Sequence, residues 1–416
     1  MNNQKYLKVA SHEAIKGSFN KCLLLYSGGL DTSVMLKWIQ QEYKCEVVAL
    51  TIDIGQTSDE LLAIKQKALN LGASDAIIYD AKDDFANQVL SLAIKANADY
   101  QGGYALSTPL GRVIISKIAV NMANKYNCQV IAHGCTGKGN DQVRFESYIT
   151  TLNPKLKIIA PVREWAMGRQ EEIEYAIANN IPVKQNSSKP YSYDENMWGN
   201  TSEGGEIEDP NNIPQLYNIL QWSNTISNTP DKAESINLTF KQGVPVAING
   251  QAKPLAQIIY ECNKIGAKHG VGTFNLIEDR LVGLKVRGIY ENPGATILIS
   301  AHKKLEQLVS TRQENELKSI IDLKWAYLAY GALWFEPTMQ HISAYINSQN
   351  QKVTGVVSIE LFKGNVTVVC LNSDYSLFNG NLATFEKNDA FNQNASAGFI
   401  EIYNLAQKTA YNAYKM

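Results

Sequence analysis

Over roughly the first 160 residues, short dense apolar runs alternate with longer segments in which apolar residues recur every three or four positions. Cys22-Leu23-Leu24-Leu25, Glu46-Val47-Val48-Ala49-Leu50-Thr51-Ile52 and Gln129-Val130-Ile131-Ala132 are runs of the kind buried on both faces of a sheet. Strands are expected over 22–25, 46–52, 75–80, 129–132 and 157–161. Between them the spacing predicts a helix beginning near Val34, one running from a Thr57/Glu60 capping box to about Leu71, and others over 83–98 and 110–126. This alternation is that of an α/β fold built on a doubly wound parallel sheet, in which ligands sit beyond the carboxyl ends of the strands.

The pattern changes after the polar stretch Asn186-Ser187-Ser188-Lys189-Pro190. Hairpins are expected at 235–240 with 244–248 and at 353–361 with 365–371, and 303–334 reads largely as helix. A tail over 398–414 carries Ile402, Leu405, Ala406, Thr409, Ala410, Ala413 and Tyr414 at helical spacing. The expected organisation is a nucleotide-binding domain over 1–186, an α+β substrate and oligomerisation domain over 187–385, and a helical tail over 386–416.

Composition narrows the partners. With 39 Lys and Arg against 40 Asp and Glu, the net charge is −1, so no polybasic surface announces a nucleic acid or a membrane. No apolar run is long enough to span a bilayer, and residues 1–20 lack the apolar core of a secretory signal. The six cysteines form no C-x-x-C pair, which argues against zinc and a disulfide framework and for a reduced, cytoplasmic protein.

Two loops carry the candidate chemistry. Tyr26-Ser27-Gly28-Gly29-Leu30-Asp31-Thr32-Ser33 lies between a strand and a helix start. Its paired glycines allow close backbone approach, while helix-start amides and the Thr32 and Ser33 hydroxyls favour a phosphate. It lacks the Gly-Lys-Ser/Thr of a Walker A loop and the Gly-x-Gly-x-x-Gly of a dinucleotide site. It resembles the PP-loop of ATP pyrophosphatases, which implies that ATP is held by its pyrophosphate end while the α-phosphate is attacked. The second loop runs from His133 to Glu146, with Gly134, Gly137 and Gly139 among Thr136, Lys138, Asn140, Asp141 and Arg144. So mixed a set suits a zwitterion, with Asp141 and Arg144 dividing its ammonium and carboxylate. His133 and His269 lack the carboxylate or cysteine spacing of a metal site and are expected to be loop histidines satisfied by backbone; no protein-held metal site is expected.

Together the two loops resemble the argininosuccinate synthase family. Asp53-Ile54-Gly55-Gln56, Lys189-Pro190-Tyr191-Ser192-Tyr193-Asp194-Glu195-Asn196, Glu203-Gly204-Gly205-Glu206, Lys268-His269-Gly270-Val271-Gly272 and Glu278-Asp279-Arg280-Leu281 extend the likeness in the family's order over nearly the whole chain. The resemblance implies an AMP-forming ligase of arginine biosynthesis that joins L-citrulline and L-aspartate at the expense of ATP, with Mg2+, through a citrullyl-adenylate. Both nucleophiles then belong to substrates, and no covalent enzyme nucleophile is needed. The resemblance places Leu25, Tyr26, Ser27, Gly28, Gly29, Leu30, Asp31, Thr32 and Ser33 at ATP, with Ile52 beside the adenine and Gly134 near the nucleotide. It places Tyr104, Asn140, Arg144, Ser192, Thr201, Glu278 and Tyr290 at citrulline and Thr136, Asn140 and Asp141 at aspartate. Asp31, Asn140 and Asp141 are the expected catalytic set. Pro109 stands where many members carry a citrulline-contacting serine, so that contact is absent or supplied by Thr108. Thr201 replaces a serine, Cys135 an alanine, and Thr273 stands where arginine is common. The family's homotetramer implies that the tail embraces a neighbouring subunit. Other PP-loop enzymes, which would bring paired cysteines, a basic RNA surface or a glutaminase portion, and a catalytically silent nucleotide sensor are the competing readings.

Overall fold

The computed structural model describes residues 8–56, 61–165, 167–182, 190–383 and 392–414. The chain forms two compact units, one through Tyr375 and one from Ser376 onward. Both expected domain boundaries, at 186 and at 385, lie outside the described residues, as does the Thr57/Glu60 capping box.

The first unit begins with five parallel strands, β1 (Lys21–Leu25), β2 (Glu46–Asp53), β3 (Asp75–Asp80), β4 (Val130–Ala132) and β5 (Lys157–Ile159), in the order β3-β2-β1-β4-β5. β1 is central, with Leu23 registered against Val48 on one side and Ile131 on the other. Its side chains alternate between faces: Cys22 and Leu24 enter one apolar core, Leu23 a second. Both cores exclude water, which is why the strand is an unbroken apolar run. The chain leaves β1 toward β2 on one side and reaches β4 on the other, so the order reverses between them and their carboxyl ends form a crevice.

The second core continues into two antiparallel sheets. Strands β6 (Tyr191–Asn196), β7 (Gly199–Gly204), β11 (Thr273–Asp279) and β12 (Lys285–Glu291) pair as β11-β12-β7-β6. Strands β8 (Glu234–Lys241), β9 (Val244–Ile248), β10 (Gln251–Ala252), β13 (Gly355–Phe362) and β14 (Asn365–Asn372) pair as β10-β9-β8-β13-β14, which includes both expected hairpins. The four-stranded sheet was legible only as motif blocks, and it matters most for the site. Its β6–β7 turn is tied to the crevice: Trp198, fully buried, donates through Nε1 to the Ala105 carbonyl (2.8 Å), Asn196 Nδ2 to the Ser107 carbonyl (2.9 Å), and the Met197 amide to the Ile54 carbonyl (3.0 Å).

Several helices differ from expectation. The first starts at Leu30, not near Val34, so Asp31, Thr32 and Ser33 form its first turn. The 83–98 helix is Lys82–Phe85 and Ser91–Lys95 joined through a wide turn at Ala86–Leu90. The 110–126 helix is Ser107–Lys125; Pro109 fits because the first helical donor is the following amide, Leu110 N–H to the Leu106 carbonyl at 3.1 Å. The single 303–334 helix is two, Pro293–Val309 and Arg312–Tyr330, separated by a capping box in which the Thr311 hydroxyl accepts from the Glu314 amide and the Glu314 carboxylate from the Thr311 amide. In the second unit, helices Ala395–Tyr403 and Leu405–Tyr414 replace one continuous tail helix; neither buries a residue, and Phe399, Ile402, Tyr411 and Tyr414 are exposed.

One buried carboxylate anchors the four-stranded sheet. Glu291, at the end of β12, accepts from Asn200 Nδ2 (2.9 Å) and from the amides of Gln221, Trp222 and Ser223 (2.9, 2.8 and 2.7 Å). Glu291→Ala strands four donors and is expected to cost about 3 kcal/mol. The expected result is a lower urea midpoint at unchanged slope.

Candidate active site

The glycine loop turns directly from β1 into the Leu30–Tyr43 helix. Gly28 has φ 79°, and a Cβ there would meet Ile64 at 2.7 Å, so both conformation and space require glycine. The loop is braced from within: Ser33 Oγ donates to the Gly29 carbonyl (2.6 Å) and meets the Tyr26 hydroxyl (3.1 Å), while Ser27 and Thr32 hydroxyls pair at 3.1 Å. Lys67 Nζ donates to the Gly28 carbonyl at 2.9 Å, bringing a cation to the loop. A cavity of about 570 Å3 opens beside it, lined by Leu25, Tyr26, Ser27, Ile52 and Gly134 among the expected nucleotide residues. Gly28 to Ser33 are not among its lining residues; they form the turn and helix start, with Asp31 exposed.

A second cavity of about 350 Å3 lies beyond β4. Tyr104, Thr108, Thr136, Asn140, Asp141, Arg144, Ser192, Thr201 and Glu278 all line it. Tyr290 is not among its lining residues and instead donates its hydroxyl to Glu278 Oε2 at 2.5 Å. The Thr201 hydroxyl is buried with no hydrogen-bond partner among the described residues. The two cavities share Gly134, Cys135 and Asp194, so they meet at the end of β4.

The electrostatics centre on Asp141. Arg112 reaches its Oδ2 through Nε (3.0 Å) and Nη2 (2.7 Å), and Arg144 reaches its Oδ1 through Nη1 (2.9 Å). Burial alone would raise this carboxyl; the two guanidiniums outweigh it and hold it at about 2. Arg112 Nη2 also donates to Asp194 Oδ2 at 2.6 Å. Asp194 has that single close cation, and burial together with the charge of Asp141 raises its pKa. Burial, and then the charge of Asp141, also raises the Cys135 thiol, which stays protonated and unreactive. Glu278 is surrounded by donors: Tyr290, the Tyr330 hydroxyl (2.5 Å) and Asn140 Nδ2 (3.2 Å). Asn140 Oδ1 accepts the Leu281 amide at 2.9 Å, so its side chain is held on both ends while it lines the cavity.

Arg112, Asp194, Glu203 and Arg280 were not singled out from the sequence. Asp194 and Glu203 stand two residues beyond Ser192 and Thr201, and cross-strand register pairs Ser192 with Glu203 and Asp194 with Thr201. Arg280 stands two residues beyond Glu278 and pairs with both carboxylate oxygens of Glu203 at 2.6 Å. The two-residue period of a strand was therefore the available signal. Arg112 follows Thr108 by one helical turn.

His133 is not satisfied by backbone alone. Its Nδ1 accepts the Cys135 amide at 3.2 Å, which assigns the ring proton to Nε2, facing Glu146 Oε1 at 3.1 Å. His269 likewise faces a carboxylate, Glu234, at 3.2 Å. Glu146 also takes Arg163 (2.5 Å) and His12 (2.7 Å). Burial raises the Glu146 carboxyl, but His133 and Arg163 outweigh it and hold it at about 2, against an ordinary 4.5. A depressed folded-state value means that this stabilisation is complete above about 4.5 and disappears as pH falls toward 2. Glu146→Gln is therefore expected to lower stability by ~2 kcal/mol at pH 7. In parallel thermal melts the gap from wild type should narrow as pH is taken below about 4.5.

Sequence comparisons agree with this geometry. Residues 21–182 match the arginosuccinate synthase N-terminal HUP domain and residues 191–410 the arginosuccinate synthase C-terminal domain. The chain is similar to argininosuccinate synthases of Brevibacillus brevis (46% identity, covering 94% of this chain and 92% of the relative), Staphylococcus saprophyticus (45%, covering 93% and 96%) and Streptococcus mutans (45%, covering 93% and 97%). The chain belongs to the argininosuccinate synthase family, AMP-forming ligases that condense citrulline and aspartate with ATP in arginine biosynthesis.

Proposed function

We propose that the two half-reactions of this ligase are joined at the seam formed by Gly134, Cys135 and Asp194, with ATP in the larger cavity and the two amino acids in the smaller. The carrying observation is that the cavities share those three residues at the end of β4, beside the glycine loop. In the first step the ureido oxygen of citrulline attacks the α-phosphorus of ATP; the bond to the β-phosphate oxygen breaks and pyrophosphate leaves. In the second, the aspartate amine attacks the activated carbon, the carbon–oxygen bond to AMP breaks, and AMP carries away the bonding electrons.

The protein aligns substrates, an effect able to supply ~7–11 kcal/mol of barrier reduction. Leu25, Tyr26 and Ser27 with Ile52 take the nucleotide, and the glycine turn and helix start from Gly28 to Ser33, next to that cavity, are placed at its phosphates. Asp31, exposed on the first helical turn, is the carboxylate of this loop that would hold Mg2+, and the ion would supply charge neutralisation for the phosphates. Tyr104, Thr108, Ser192, Thr201, Arg144 and Glu278 hold citrulline, with Tyr290 acting through Glu278. Thr136, Asn140 and Asp141 receive aspartate. At about 2 the Asp141 carboxyl is no proton acceptor at neutral pH; it serves as a fixed charge.

We assign the molecule to the cytoplasm, on the support of six free cysteines and the lack, among the described residues, of a helix long and apolar enough to cross a membrane. The exposed apolar side chains of the Ala395–Tyr403 and Leu405–Tyr414 helices support a homotetramer in which the tail packs on another subunit.

The direct test measures AMP and pyrophosphate release from Mg-ATP with each amino acid alone and both together, alongside mass detection of argininosuccinate. Product is expected only with both; AMP release indifferent to citrulline would defeat the assignment. Asn140→Ala should lower kcat/KM by about 10²-fold or more. Deleting residues from Gly398 onward should convert the tetramer to smaller species in light scattering, and an intact tetramer would refute the tail's role.

A further inference from the structure

Tyr330 is the last residue of the Arg312–Tyr330 helix and is 2% exposed. It does not line the substrate cavity, yet it touches three residues that do. Its hydroxyl has one proton and two acceptors within reach, Glu278 Oε1 at 2.5 Å and the Asp279 carbonyl at 2.9 Å; the shorter contact to the charged carboxylate takes it, and its lone pairs accept Asn140 Nδ2 at 2.8 Å. Its carbonyl accepts Arg144 Nε and Nη2, each at 3.3 Å, and the Arg144 guanidinium lies 5.0 Å from its ring centroid. The ring is stacked on Tyr100 at 3.8 Å with an interplanar angle of 7°. Tyr100 in turn donates its hydroxyl to the Asp279 carbonyl at 2.9 Å.

These contacts join elements that share no local constraint. Glu278 is on β11, Asn140 and Arg144 on the loop and helix after β4, and Tyr330 lies 52 residues from Glu278 and 190 from Asn140. A carboxylate has about four lone-pair sites. Tyr290, Tyr330 and Asn140 occupy three on Glu278, which fixes the plane of the carboxylate and leaves its remaining capacity for the cavity. A tilt of Glu278 would also release Asn140, since both are tied to one hydroxyl. Arg144 depends on the same residue through the carbonyl and the ring. The nucleotide cavity, by contrast, shares no lining residue with this group, and none of Tyr330's contacts reaches it.

We infer that Tyr330 is a positioning residue for citrulline: its hydroxyl sets the orientation of Glu278 and Asn140, and through them the affinity for the amino-acid substrate but not for ATP. This rests on the assignment of the smaller cavity to citrulline.

Tyr330→Phe tests it in the full-length chain, because phenylalanine keeps the ring stack and the carbonyl and removes only the hydroxyl. The expected result is a citrulline KM raised about tenfold, with the ATP KM within about twofold and the melting temperature little changed. Glu278→Gln is measured with and without the phenylalanine. If Tyr330 acts through Glu278, the second substitution should cost less than about twofold in that background, since residues in one network are not additive. An unchanged citrulline KM, equal losses for ATP and citrulline, the same factor in both backgrounds, or a collapsed melting temperature would each overturn the inference. Failure of the wild type to require citrulline for AMP release would instead overturn the assignment of the cavity, so the two failures are distinguishable.

Discussion

Everything at the crevice depends on how one buried carboxylate is neutralised. Asp141 sits where the Asp141–Leu152 helix begins, beside the substrate cavity, and could not remain ionised there without cations. Arg112, from the Ser107–Lys125 helix, and Arg144, one turn along its own helix, supply them. Because Arg112 also holds Asp194 on β6, the same guanidinium ties the four-stranded sheet to the two helices that precede and follow β4. The charge balance that keeps Asp141 ionised is therefore also a mechanical tie across the two cavities. Removing either arginine leaves a carboxylate buried without sufficient compensation, which costs more than the lost pair itself.

The tie has a chemical consequence. Two carboxylates share one guanidinium, but only Asp141 has a second, so their pKa values move in opposite directions. Asp141 is a permanent anion. Asp194, at the seam, is the more readily protonated of the two. The thiol of Cys135, pushed up by burial and by Asp141, adds no nucleophile of its own. A site so arranged offers fixed charges and oriented donors rather than a covalent participant, as suits a ligase whose nucleophiles are both substrates.

Behind the seam, the His133–Glu146–Arg163 group performs the corresponding task for the backbone. Glu146 selects the tautomer of His133, and the ring nitrogen left without a proton accepts the Cys135 amide. The turn that both cavities share is thus held by a side chain buried behind it. Orientation of a backbone by a carboxylate-fixed imidazole follows the same logic as an outer-shell partner orienting a ligand group.

Much of this was legible in the residues. The five parallel strands were readable because burial on both faces forces continuous apolar runs, and the two loops because glycine and mixed polar residues at strand ends have few other uses. Nine of the ten expected substrate residues line one cavity. The four-stranded sheet was not read as strands: its blocks are polar where they face the site, as in Ser192, Asp194, Thr201 and Glu203, so the apolar signal that marks a strand is missing where function has replaced it. The long helix divided at Ser310 and Thr311 because a capping box stopped it within an otherwise helical pattern. Local sequence determined the strand–loop–helix unit, the tight turn at Gly28 and the apolar faces, all of which depend on neighbours within a few positions; the space that also demands glycine at Gly28 is set by Ile64 from a distant helix. Tertiary structure alone decided that Arg112 neutralises two carboxylates and that Tyr330 meets Glu278 and Asn140. Such pairings depend on charge and hydrogen-bond satisfaction between segments 29 to 190 positions apart, a distance over which periodicity carries no information.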